Sequence, residues 1–411
     1  MDLTRRVTPR TARERASVST VELFFDLVFV FAVTMADDLM ADDPTPITLL
    51  HGILVLAVLW WAWVCYSWLG NVVRADEGIV RVTMLAAMSA VFVIALTIPE
   101  AFDDLSGGLD GPVVFALAYF VVRALHILMF VVISREDPQL RGQVKRFVPS
   151  MLSGTVFLLI ASQSTGGWQV AMWCLALAGD YLGTLAGGLG WRLRSVGHFA
   201  ERHGSFVIIA LGESVVSIGV GVSSLPISWE IVVASVLGLT VASLLWWLYF
   251  DVTSLAVEQA FERADEKRRV RIAQRCYSYL HLPMVIGIVL MSLGLKKVLY
   301  FVGSESEHQL TDPLTGWPLI ALFTGAALYL TALVLFKQFG AGVFGLARVV
   351  AVVVLLALVP VVWQLPALAA LGVLAAVLLA LVGYETVAHA ERRREVRSPR
   401  HPRPPHSTSP R

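Results

Sequence analysis

The chain has 411 residues, 57% of them hydrophobic and 15% charged, with a mean hydropathy of +0.72. Soluble globular domains carry roughly 45–50% apolar and about 25% charged residues, so composition excludes an ordinary soluble protein. A net charge of +1 offers no case for a nucleic-acid partner, and Cys65, Cys174 and Cys276 sit in or beside apolar runs without metal-type spacing, which excludes a disulfide scaffold.

In chain order, residues 1–18 form a basic tail, followed by apolar stretches near 20–40, 46–69, 79–98, 112–134, 147–164 and 168–190. A basic linker is expected over 191–203, then stretches near 204–222, 229–250, 276–295, 317–336, 348–365 and 367–386. Crossing ~30 Å of hydrocarbon takes about 20 apolar residues as helix, and the runs are continuous rather than alternating, so a β-barrel is excluded. The expected fold is an all-α polytopic membrane protein with about twelve transmembrane helices. The two six-helix halves are 19–190 and 204–388. Residues 389–411, basic and rich in proline and serine, are expected to be a disordered tail.

Charge gives the expected orientation. Twenty-nine of the 32 lysines and arginines fall in the tails and in alternate loops, near 70–81, 135–146, 191–203, 251–275 and 337–348. The opposite loops are acidic or neutral, and only Lys296 and Lys297 break the pattern there. The positive-inside rule then places both termini in the cytoplasm.

Charges inside the spans are functional candidates, because each costs at least ~2.5–3.5 kcal/mol at the bilayer centre. Glu22 and Asp26, four residues apart, share a helix face as a candidate proton or cation site. Glu22 also completes a capping box with Ser19, a purely structural use. Trp60, Trp61, Trp63, Trp68, Trp246 and Trp247 fit an aromatic belt near the cytoplasmic ends of their spans. Arg123, with His126 on the same face, needs a buried partner, for which Asp180, Glu213 and Asp26 are available. Asp180 lies among Gly179, Gly183 and Gly187, a spacing for close helix packing with the carboxylate as polar glue. Glu213 is a further proton or cation candidate, and Gly212 beside it suggests close approach of another helix. His281 precedes Pro283 and could titrate or serve as a hydrogen-bonded core residue. Ser214 with His281 is a chance-level serine–histidine coincidence.

Leu59-Trp60-Trp61 recurs as Leu245-Trp246-Trp247, and Asp26 falls against Glu213 at nearly the same offset. This suggests duplicated halves of equal orientation, a parallel repeat. The segment Val21-Glu22-Leu23-Phe24-Phe25-Asp26-Leu27-Val28-Phe29-Val30-Phe31-Ala32 resembles the opening signature of the bacterial low temperature requirement protein A family. Glu201-Arg202-His203-Gly204 through Gly212-Glu213-Ser214 resembles its second, and Trp246–Asp251 and Tyr279–Pro283 fit as well. The resemblance runs from about residue 17 to 385. It implies a multi-pass bacterial inner-membrane protein named for a cold-growth phenotype, and it implies no mechanism.

Nucleotide-loop, zinc-protease, dinucleotide and CxxC motifs are absent from the sequence, so no cofactor or metal is expected. The leading expectation is a carrier or channel for protons or a small cation, with Asp26, Glu213 and Glu22 as candidates. Arg123, His126, Asp180 and His281 are the structural or coupling residues. The competing readings are a non-transporting scaffold or cold/lipid-adaptation factor, and a membrane-embedded enzyme. Expected partners are membrane lipids and the proton or cation, and association into a homo-oligomer stays open.

Overall fold

The computed structural model describes residues 18–390, apart from 77, 137, 187–192, 224, 305–307 and 389. Both tails, except Val18 and Ala390, and Gly187 of the glycine series lie outside the described residues. The first half comprises α1 (Thr20–Asp42), α2 (Pro46–Val72), α3 (Gly78–Thr97), α4 (Gly111–Ile133), α5 (Pro138–Ser162) and α6 (Gly166–Ala186). The second comprises α7 (Val196–Val222), α8 (Trp229–Phe250), α9 (Thr253–Arg263), α10 (Glu266–Ile272), α11 (His281–Gly303), α12 (Trp317–Ala341), α13 (Leu346–Val362) and α14 (Ala367–Ala388). Among the described residues, eight helical segments are long and apolar enough to cross a membrane, and Val148–Ser162 within α5 and the whole of α13 are shorter apolar helices. α1 is as long as its neighbours but carries Glu22, Asp26, Asp37 and Asp38, of which Glu22, Asp26 and Asp37 are buried. The protein is a polytopic helical membrane protein.

Local chemistry sets where helices start. Ser19, Thr45, Asp110, Ser195 and Ser228 each accept a backbone N–H of their helix's first turn, and Pro46 and Pro112 occupy first-turn positions needing no donor. The Ser195 cap starts α7 at Val196, so the linker expected over 191–203 is shorter than its charges suggested. Its last eight positions, Arg202 among them, are helix. The expected loop 251–275 is also largely helical. In α9, Val257 and Phe261 turn inward while Glu262 and Arg263 stay outside, an amphipathic pattern that hydropathy averaging misses.

Between α10 and α11 the backbone widens into a π-helix over Ala273–Tyr279. Pro283 lies just beyond it and cannot donate to the Tyr279 carbonyl, a local reason for the ladder to change register.

The neighbour order is alike in the two halves. α1 packs on α2 and α3, α3 on α4, α4 on α5, α5 on α6, and α6 returns to α2. α7 packs on α8 and α11, α11 on α12, α12 on α13, α13 on α14, and α14 returns to α8. The tightest crossing is α11 on α12. A Cβ on Gly287 would lie 2.6 Å from the Gly325 carbonyl, so backbone touches backbone there. The halves meet through α1 and α2 against α7 and α11.

Loop contacts sort the helix ends into two groups. At the basic end, the Asn71 amide in the last turn of α2 donates to the Ser195 carbonyl at 2.6 Å. At the acidic end, the loops before α12 and α14 form an isolated bridge, Pro313 with Pro366, and Gln169 of α6 donates to the Phe102 carbonyl.

Candidate functional site

α1 and α7 lie side by side and run the same way, and they carry two buried polar clusters. The first is near the basic end. Glu22 closes the capping box, its Oε2 accepting the Ser19 N–H at 2.9 Å. Its Oε1 lies 3.1 Å from His198 Nε2 and 3.8 Å from Arg202 Nη1. The absent side chain of Gly70 on α2 makes room for it, since a Cβ there would meet Glu22 Oε1 at 2.3 Å. One turn deeper, Asp26 Oδ1 accepts the Trp63 indole N–H at 2.7 Å and lies 3.1 Å from Arg202 Nη2. The Arg202 guanidinium is fully buried 5.4 Å from the Trp63 ring centre, a cation–π arrangement. None of its nitrogens has a hydrogen-bond partner. Two carboxylates therefore face an arginine and a histidine.

The second cluster is toward the acidic end. Arg202 to Glu213 spans about 16 Å of α7 at ~1.5 Å per residue. Glu213 accepts from Thr34 of α1 and lies 3.1 Å from Ser217 Oγ. The same Ser217 oxygen is 3.1 Å from Asp37 Oδ2, also on α1. Asp37 and Glu213 are both buried, and Asp37 Oδ1 has no hydrogen-bond partner. Lys296 of α11 pairs with the adjacent Asp38, which accounts for one of the two lysines that break the charge pattern. Here the carboxylates face each other.

Phe29, Val33, Phe206, Val207 and Ala210, all buried, lie along α1 and α7 between the clusters. Asp26 and Glu213 thus share the interface between the halves without meeting, and neither faces lipid. Gly212 plays no part in close packing, because a Cβ there would meet nothing within 4 Å. Its expected role is corrected: the close contact at Glu213 comes from Thr34 and Ser217 instead.

The remaining candidates fall elsewhere. Arg123 of α4 finds its partner in Asp180 of α6, with Nη2 to Oδ1 at 2.8 Å. Tyr119 donates to the same carboxylate, Ser150 Oγ lies 3.3 Å from it, and Cys65 contacts Arg123. Gly154 and Gly179 permit this, since a Cβ on Gly154 would meet Asp180 Oδ2 at 2.9 Å and one on Gly179 would meet Ser153 Oγ at 2.6 Å. His126 is buried beside Arg123 with both ring nitrogens unpartnered. His281 is satisfied on both sides, by the Cys276 carbonyl at 3.0 Å and the Tyr249 hydroxyl at 2.8 Å. Ser214 bonds Ser292 at 2.7 Å rather than His281, so the serine–histidine coincidence has no geometry.

The tryptophans divide. Trp246 and Trp247 are exposed as a belt requires, whereas Trp60, Trp61, Trp63 and Trp68 are buried. The belt reading is therefore corrected for the α2 group. Trp60 and Trp68 donate to the carbonyl and hydroxyl of Ser278 in the π-helix, at 2.7 and 3.1 Å, tying α2 to the second half. Arg202, Asp37 and Ser217 are the site residues that sequence reasoning missed. The signal for Asp37 was its place on the Glu22–Asp26 face, three turns beyond Asp26.

An all-helical membrane bundle with paired charges buried at a helix interface defines the class of protein. Within that class, residues 17–383 match the profile of the bacterial low temperature requirement A (LtrA) proteins, and the chain belongs to that family. A relative from Rhizobium meliloti (strain 1021), "Uncharacterized protein RA0937", is 29% identical over 293 residues, 68% of this chain and 69% of its own. No solved structure matches the chain.

Proposed function

We propose that the protein is a carrier or channel for protons or a small cation, and that Glu213 and Asp37 are its working carboxylates. The observation that carries this reading is the shared hydroxyl of Ser217, 3.1 Å from an oxygen of each. A hydroxyl has one hydrogen to donate. Both contacts are hydrogen bonds only if one carboxyl brings a proton of its own. Two ionised carboxylates this close inside a membrane would repel with little solvent to screen them, so a bound proton or cation is the economical way to neutralise the pair. Glu22 and Asp26 are different: Arg202 already supplies a counter-charge beside both and His198 a ring nitrogen beside Glu22, and they serve as a lock between α1 and α7.

The common neighbour order of the halves and the Trp-Trp register support duplication as a parallel repeat. The segregation of lysine and arginine supports cytoplasmic termini in a bacterial inner membrane. At the basic end a cavity of about 700 Å³, lined by His198, Glu201, Glu258 and Glu262, offers an acidic vestibule beside the lock. The scaffold reading draws its support from Arg123–Asp180 and the lock itself.

The deciding experiment is flux in proteoliposomes under defined pH and cation gradients. Wild type should carry a pH-dependent flux, and Glu213→Gln and Asp37→Asn should abolish it at near-normal folded yield. Flux undiminished in both variants, or no flux in wild type under any gradient, would overturn the proposal.

A further inference from the structure

The cavity of about 700 Å³ at the basic end lies where α7, α8, α9 and the π-helix meet. One stripe of α7 lines it, since Gly197, Glu201, Gly204 and Ile208 recur at helical spacing, and the two glycines contribute no side chain to fill it. From α9 come Glu258 and Glu262, one turn apart. Tyr249, Phe250 and Tyr277 supply aromatic surface.

The three carboxylates have no cation beside them. Glu201 takes the Val18 amide at 3.4 Å, and none of the three makes an ion pair among the described residues. The charged groups that act on Glu258 are Glu201 and Glu262, both acidic. A separate observation points the same way. Tyr277 is 1% exposed, its hydroxyl makes no hydrogen bond among the described residues, and that oxygen is not sealed off from the cavity it lines. A buried polar atom is rarely left without a partner, so an open hydroxyl beside unpaired acids marks a place for a ligand's donor.

Spacing selects the ligand. A Cβ on Gly197 would lie 3.8 Å from Glu258 Oε1, so the Glu258 carboxylate stands over α7 one turn before Glu201. Glu262 follows Glu258 by one turn of α9, and four residues of helix advance about 6 Å. Carboxylates strung at such intervals do not converge on one ion. Among the described residues no three His, Cys, Asp or Glu side chains are grouped to hold a metal. A linear aliphatic chain with ammonium groups three or four methylenes apart repeats at that interval.

We propose that the cavity binds one linear aliphatic polyamine. Its ammonium groups meet Glu201, Glu258 and Glu262, and the Tyr277 hydroxyl accepts an N–H from one of them. Its methylenes lie on the aromatic rings, whose faces also attract ammonium. A monoamine would leave two of the acids without a counter-charge. This site does not depend on the proposed proton pathway.

Isothermal titration calorimetry on the full chain in detergent tests it, with spermidine, butylamine and Mg²⁺ as probes. Wild type should bind one spermidine at least about tenfold more tightly than butylamine, and equimolar Mg²⁺ should not displace it. Glu258→Gln, at a partly buried position, should weaken spermidine binding by about tenfold or more with thermal unfolding unchanged. Tyr277→Phe should cause a smaller loss. Asp103→Asn, an exposed acid at the opposite end, should change nothing. The absence of saturable one-to-one binding, equal affinity for butylamine, displacement by equimolar Mg²⁺, or undiminished binding in Glu258→Gln would overturn the proposal. So would spermidine binding that arises only once residues 1–17 are removed, since the acids would then belong to the chain's own basic tail.

Discussion

The two clusters on the α1–α7 interface are equally buried and built from the same pair of helices, yet their charge logic is opposite. Near the basic end, Glu22 and Asp26 meet His198 and Arg202, and the group closes on itself. Toward the acidic end, Glu213 and Asp37 meet each other across one hydroxyl, while the nearest lysine is occupied with Asp38. A carboxylate inside a membrane is therefore not a functional signal by itself. What distinguishes a lock from a titratable site is the sign of what faces it.

The largest test of that distinction removes the cation from the lock. Arg202→Ala leaves Asp26 with the Trp63 indole and Glu22 with His198 and Ser19, and breaking a buried pair costs about 3–5 kcal/mol. Folded yield and melting temperature in detergent should fall sharply, and Asp26→Asn added to Arg202→Ala should restore part of the loss. If neutralising Asp26 gives no recovery, the lock is misassigned.

Arg123→Ala should cost a comparable ~3–5 kcal/mol by the same reasoning, and here the partner is specific. Asp180→Asn should rescue it, whereas Asp26→Asn and Glu213→Gln should not. Rescue by either of the latter would contradict the separation of the three charge groups.

A smaller effect sharpens the other side of the comparison. Ser217→Ala removes one neutral hydroxyl, worth about 1 kcal/mol of stability as a hydrogen bond. If the hydroxyl couples the two carboxyls, the pH dependence of flux should shift in Ser217→Ala while unfolding changes only slightly. An unshifted profile would deny the coupling.

The smallest expected effect is at Gly212→Ala. Open space surrounds the missing Cβ, and alanine favours helix over glycine by roughly 1 kcal/mol, so stability should hold or rise slightly and flux persist. A marked loss in either would mean that α7 needs that glycine for movement.

Much of the architecture could be read from local signals, and the site less so. Hydropathy located α1–α8 and α11–α14 because a lipid environment forces apolar runs to be helical. The Ser19–Glu22 capping box was visible because all its parts lie within one turn. Arg123 announced that it needed a partner, but only packing could choose Asp180. Arg202 was hidden by its own charge: beside Arg192 and Arg194 it read as part of a basic linker, although its partner Asp26 lies far away in sequence. Trp60 and Trp68 misled for a related reason. An aromatic residue near a span's end looks like an interface anchor until the π-helix carrying Ser278 is known to lie against it.

The apolar layer that separates the two clusters also acts as an insulator in the membrane's electric field. Its ~16 Å takes up about half of a ~30 Å hydrocarbon core, and hence about half of the potential dropped across it. At 100 mV a unit charge crossing the layer changes energy by about 1.2 kcal/mol, a bias of roughly eightfold in occupancy. Protons reaching Glu213 from the acidic end would not cross that layer and would escape this bias, whereas those coming past Arg202 would feel it in full. Voltage dependence measured separately from each face would therefore reveal the side from which Glu213 is loaded.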